Sequence, residues 1–163
     1  MLMCRDTMGP NVTAGYRQEP PRPRPYLRPS ALLWVFLGGA CGTALRYGFE
    51  QTWPASGTSW PWGTFAANVS GAFVLGATLE TLTLLGPDGG WRRHARLFLG
   101  TGFCGAFTTY SALALEIDTL TRNGFVAIGV LYALVSVAAG LVAALGGIAA
   151  AARALARYAG GSG

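Results

Sequence analysis

Four long apolar runs, separated by short polar or Gly/Pro-rich links, set the outline of this chain. From Ser30, whose hydroxyl suits a helix N-cap, the run Ala31 to Phe49 predicts a first helix. The polar, proline-containing stretch Glu50 to Pro61 turns the chain back, and a second helix is expected from Gly63 to Leu85. Gly86-Pro87-Asp88-Gly89-Gly90 ends that helix, and Trp91-Arg92-Arg93-His94-Ala95-Arg96 forms a basic link to a third apolar segment, Leu97 to Leu120. After Thr121-Arg122-Asn123-Gly124 a fourth run extends from Phe125 to about Ala152. A membrane crossing needs roughly 20 apolar residues, so each run is long enough to span a bilayer. An all-α membrane protein of four helices follows.

The third run differs from the others. Its centre, Gly102-Phe103-Cys104-Gly105-Ala106-Phe107-Thr108-Thr109-Tyr110-Ser111, sets glycines and hydroxyls at membrane depth. Inside hydrocarbon an irregular backbone is tolerated only where it is buried in protein or lines a polar cavity. The third helix is therefore expected to be broken here, and the break marks an ion or substrate site. Polar residues on the neighbouring runs are few. The second carries, among others, Thr64, Ser70 and one amide, Asn68; the fourth carries Tyr132 and Ser136, which share one face with Gly140. Gly38, Gly39 and Gly42 on the first run and Gly71 and Gly76 on the second allow close helix approach.

Composition agrees with the pattern. The 163 residues are 52% hydrophobic and 12% charged, where a soluble domain averages about 25% charged. The chain divides into a disordered Pro/Arg-rich tail over 1–29, a four-helix domain over 30–153 and a flexible C-terminal tail over 154–163. The net charge of +5 rests on arginine alone, and its distribution reads as a topology signal, with no nucleic-acid partner implied. Ten of the 12 arginines fall on one side: the N-terminal tail, the link containing Arg92, Arg93 and Arg96, and the C-terminal end with Arg153 and Arg157. The positive-inside rule then puts both termini in the cytoplasm of a cell-membrane protein. Cys4, Cys41 and Cys104 are too scattered for a metal site, and no nucleophile or paired carboxylates support an enzyme.

Three motifs in order, Gly38-Gly39-Ala40-Cys41-Gly42 with Arg46-Tyr47, Gly63-Thr64 through Asn68 with Gly71 and Gly76, and Gly102 through Ser111, resemble the CrcB/Fluc fluoride channel family over about Ala31 to Ala152. The resemblance implies antiparallel packing of two four-helix subunits, two narrow fluoride pores and a structural sodium ion at the dimer centre. It puts the main-chain carbonyls of Gly105 and Thr108 on the sodium, with Thr64 and Thr109 in support. Asn68, Tyr110, Ser111, Tyr132 and Ser136 would line the pore, and Arg46 would gather anions at its mouth.

The chain departs from the family at its paired phenylalanines, which fall on Tyr110 and Leu113. A phenyl edge carries partial positive charge that can face an anion, and leucine has none. The biased arginines also disfavour insertion in both orientations. Together they favour a heterodimer with a paralogue of opposite orientation. Three other readings stay open: Asn68 as a helix-bridging amide, a proton-coupled small multidrug exporter, and a non-conducting assembly subunit. Glu116, close to the break, keeps an ion-binding or proton-linked role open.

Overall fold

The structure is a computed structural model, which describes residues 29–87 and 89–160. Most of the N-terminal tail and the last three residues lie outside that range. The elements are α1 (Pro29–Thr52), α2 (Trp62–Leu84), α3 (Trp91–Ala95), a π-helical stretch (Arg96–Cys104), α4 (Gly105–Phe107), α5 (Tyr110–Arg122) and α6 (Val126–Gly160). No strand occurs among the described residues. Four spans are long and apolar enough to cross a membrane: Pro29–Thr52, Trp62–Leu84, the composite Trp91–Arg122 and Val126–Tyr158.

Two pairings build the bundle, α1 along the π-helical stretch and α2 along α6. Glycine permits both. A methyl group at Gly38 would fall on the carbonyl oxygen of Phe98, one at Gly42 on that of Phe103, and one at Gly102 on that of Val35. In the second pair, Gly76 seats the backbone of Ala144 and Gly147 seats that of Phe73. Between helices surrounded by lipid, association depends on such backbone approach, since lipid tails are as apolar as leucine.

The element boundaries differ from the expected ones: Ser30, expected as an N-cap, lies inside α1, which also continues past Phe49 to Thr52 because Glu50 pairs with Arg46 one turn back. The basic run Trp91–Ala95 is helical and opens the third span. Arg92 donates to the carbonyl of Leu85 at the end of α2, which links the start of the third span back to that helix. The first half of the third span takes the wider π pitch, and α6 continues eight residues past Ala152 to Gly160. At 35 residues α6 is about 50 Å long, well beyond a hydrocarbon core of about 30 Å, so its end with Arg153 and Arg157 extends past the apolar layer.

The break in the third span is two residues wide. Thr108 (φ −81°, ψ 152°) and Thr109 (φ −147°, ψ 121°) are extended, and helix resumes at Tyr110. Thr109 caps the new helix, its Oγ1 accepting from the Ala112 N–H at 3.1 Å. Thr108 closes the old one, its N–H at 3.0 Å and its hydroxyl at 2.8 Å both donating to the Cys104 carbonyl.

Candidate functional site

The break frees backbone groups inside an apolar bundle, and each must find a partner. In a continuous helix the Thr109 N–H would bond the Gly105 carbonyl four residues back. Here it donates to Asn68 Oδ1 at 2.7 Å, while Asn68 Nδ2 donates to the Thr109 carbonyl at 3.1 Å. One side-chain amide on α2 thus bonds both backbone groups of Thr109 and takes the place of the N–H's helical acceptor. The Gly105 carbonyl is released, and the extended ψ of Thr108 turns its carbonyl out of the helical direction. Gly105 itself is exposed, with open space where a side chain would be.

Arg46 secures the other side of the break. Its Nε donates to the Ala106 carbonyl at 3.1 Å, at the C-terminal end of the first half-helix, where a cation complements the helix dipole. Its Nη1 lies 3.3 Å from Glu50 Oε1 one turn along α1. The ring of Phe49 meets that of Phe107 edge-on at 5.4 Å.

Next to Arg46 lies a cavity of about 540 Å³, lined by Arg46, Glu50, Thr64, Ser111, Glu116 and Thr119 among others. Glu116 is its most constrained member. Thr64 Oγ1 donates to Glu116 Oε1 at 2.6 Å, and Tyr132 Oη donates to Glu116 Oε2 at 2.6 Å. Thr64 is 2% exposed and Tyr132 fully buried, with Trp60 edge-on to the Tyr132 ring at 5.2 Å. A partly buried carboxylate is costly unless paired or hydrogen-bonded, and here each oxygen has its own hydroxyl donor.

Beyond the break a second groove, about 330 Å³, is lined by Asn68, Thr108, Thr109, Tyr110, Leu113, Ser136 and Gly140 among others. Two polar groups facing it have spare capacity. The second amide N–H of Asn68 has no protein acceptor among the described residues. Ser136 is a polar neighbour of the Tyr132 hydroxyl, yet its buried Oγ makes no hydrogen bond of normal geometry there. The hydroxyls of Thr109 and Ser111, 3.1 Å apart, lie between groove and cavity.

The structure therefore brings most of the sequence-chosen residues together but divides them. Ser111, Thr64 and Arg46 line the cavity; Asn68, Tyr110 and Ser136 line the groove; Tyr132 is sealed behind Glu116. Tyr110 is 82% exposed, whereas Leu113, 8% exposed, turns toward Leu120 and Tyr132 in the core. The two positions of the expected aromatic pair thus do different things. Glu50 had no role in the sequence pattern beyond ending a helix, and its i,i+4 spacing from Arg46 was the one available sign. Among the described residues no three His, Cys, Asp or Glu side chains converge as a metal site.

Comparison with known proteins bears on this geometry. Residues 33–148 match the family model described as "CrcB-like protein, Camphor Resistance (CrcB)". The chain is 48% identical over 117 residues to the fluoride-specific ion channel FluC 1 of Cutibacterium acnes, covering 72% of this chain and 82% of that protein. It is 48% identical over 124 residues to the fluoride-specific ion channel FluC 2 of Leifsonia xyli subsp. xyli, covering 76% and 85%. With fluoride-specific ion channel FluC of Chlorobaculum tepidum the identity is 40% over 119 residues, 71% of this chain and 90% of the relative.

Proposed function

The chain belongs to the CrcB-like family, and from that premise we propose that it is a subunit of a fluoride-selective channel that lets fluoride leave the cytoplasm and relieves its toxicity. One observation carries the proposal: spare hydrogen-bond donors, the second N–H of the Asn68 amide and the Ser136 hydroxyl, border a groove inside an apolar bundle. An unmet buried donor costs about 1–3 kcal/mol, so such donors suit an anion that sheds water and takes hydrogen bonds in exchange. The path runs from the Arg46 cavity past Ser111 and Thr109 to the groove with Tyr110 and Ser136. Arg46 raises local anion concentration at the cavity mouth.

The channel is an antiparallel dimer in this proposal. A shallow apolar groove along α1, formed by Phe36, Gly39, Ala40, Thr43, Tyr47 and Ala106, supports close packing of a partner helix. The released carbonyls of Gly105 and Thr108 fit a hard cation, which takes neutral oxygen ligands, so these two residues would hold a structural sodium ion. Bound there, sodium would supply positive charge to the carbonyl end of the first half-helix. The arginine asymmetry puts both termini in the cytoplasm, and a second subunit of opposite orientation completes the dimer. With Leu113 buried where the family has a second ring, an intact phenylalanine pair would come from that partner.

Fluoride release from liposomes tests the proposal, with this chain alone and with its paralogue, against chloride as control. Fluoride-selective release requiring the pair supports the heterodimer. Equal release from the chain alone contradicts the heterodimer, and no fluoride release in either preparation contradicts the channel.

A further inference from the structure

The cavity around Glu116 is bordered on one side by a loop, and a single polar bond ties the middle of that loop to the bundle. Residues 53–61 connect α1 to α2, and Trp53, Ala55, Gly57 and Pro61 all line the cavity. The loop's ends are anchored through rings: Trp53 meets Phe49 at 5.7 Å, and Trp60 meets Phe65 at 5.6 Å and Tyr132 at 5.2 Å. Its middle is held differently. Ser56 Oγ bonds Ser59 Oγ at 2.8 Å and Thr58 Oγ1 at 3.3 Å, which stiffens the loop without fixing it to anything. Among the described residues, the one polar link from the loop's middle to another element is Asn123 Nδ2 donating to the Gly57 carbonyl at 2.9 Å.

Both partners are shaped for this contact. Asn123 follows the last turn of α5, where its own N–H bonds the Thr119 carbonyl at 3.1 Å, so its side chain is delivered from a fixed position. Gly57 has φ +74°, which other residues adopt only with strain, and a methyl there would sit 3.1 Å from both Asn123 Nδ2 and Thr119 Cγ2. Thr119 in turn lines the cavity. The loop thus seats against the end of α5, the helix whose Ser111, Glu116 and Thr119 form one wall of the cavity.

We propose that Asn123 is a positioning residue that latches the 53–61 loop across the mouth of the Glu116 cavity and sets the access of anions to Arg46 from that side of the membrane. Only the identity of the ion rests on the fluoride proposal; the latch is a matter of geometry. A net hydrogen bond of about 1 kcal/mol corresponds to roughly a fivefold change in the open population.

The test reads access at the cavity floor. Thr64→Cys, in a chain with Cys4, Cys41 and Cys104 replaced by alanine, gives a single thiol at a position 2% exposed. Its reaction rate with a membrane-impermeant methanethiosulfonate is measured in liposomes. Asn123→Ala should speed the reaction about fivefold. Asn123→Asp keeps the shape and the backbone cap but cannot donate to a carbonyl, and should match it; Gly57→Ala should act the same way. Rates within twofold of the parent in variants that elute at the parent size would overturn the latch. Accelerated labelling without fluoride flux in any preparation would uphold the latch and remove the fluoride proposal.

Discussion

At the scale of single residues, Asn68 and Glu116 carry the most informative contacts. Asn68 supplies the acceptor that the Thr109 N–H lacks at the break, so Asn68→Ala should destabilise the protein by about 1–3 kcal/mol as that part-buried N–H loses its partner. Asn68→Asp keeps an acceptor for the Thr109 N–H but loses the donor, and should fall between the two in thermal unfolding in detergent. Tyr132→Phe removes one donor from Glu116 and should cost a similar 1–3 kcal/mol, measured the same way. If Asn68→Ala left the melting temperature unchanged, the bridging geometry would be wrong. The sequence made Asn68 and Tyr132 stand out because amides and phenols are scarce in apolar runs. It could not show that Tyr132 and Thr64 meet on one carboxylate, since those contacts span 16 and 52 residues of sequence.

At the scale of elements, the third span was legible in its existence and less so in its form. Gly102, Gly105, Thr108 and Thr109 announced a break, because hydroxyls and glycines in hydrocarbon need a reason. The π pitch over Arg96–Cys104 left no trace in the pattern, since an apolar run reads alike at either pitch. It was α1, pressing Gly38 and Gly42 onto the carbonyls of Phe98 and Phe103, that required the fit. Gly38→Ala and Gly42→Ala should each force these backbones apart and cost the bundle several kcal/mol, lowering the recovery of folded protein. Gly48→Ala, with nothing within 4 Å, should instead gain up to about 1 kcal/mol from helix propensity. The end of α6 was misplaced from sequence for a plain reason: Ala, Leu and Arg after Ala152 are good helix formers, and nothing stops the helix at the membrane boundary.

At the scale of the whole molecule, the four-span architecture was readable from hydropathy, while the division of the site into cavity and groove was not. That division shows at the start of α5, where Tyr110 and Ser111, about 100° apart around the helix, face the groove and the cavity respectively. The same scale holds the question of the partner. Leu113→Phe should repack poorly against Leu120 and Tyr132, lowering stability by about 1–3 kcal/mol, without giving the chain alone the flux of the pair. The most direct measurement of the central claim is fluoride release, followed with a fluoride electrode, from liposomes holding this chain assembled with its paralogue. The account predicts rapid release of fluoride with chloride retained, strongly reduced by Ser136→Ala in the partnered channel at unchanged assembly. Release of chloride at the same rate, or no fluoride release at all, would contradict it.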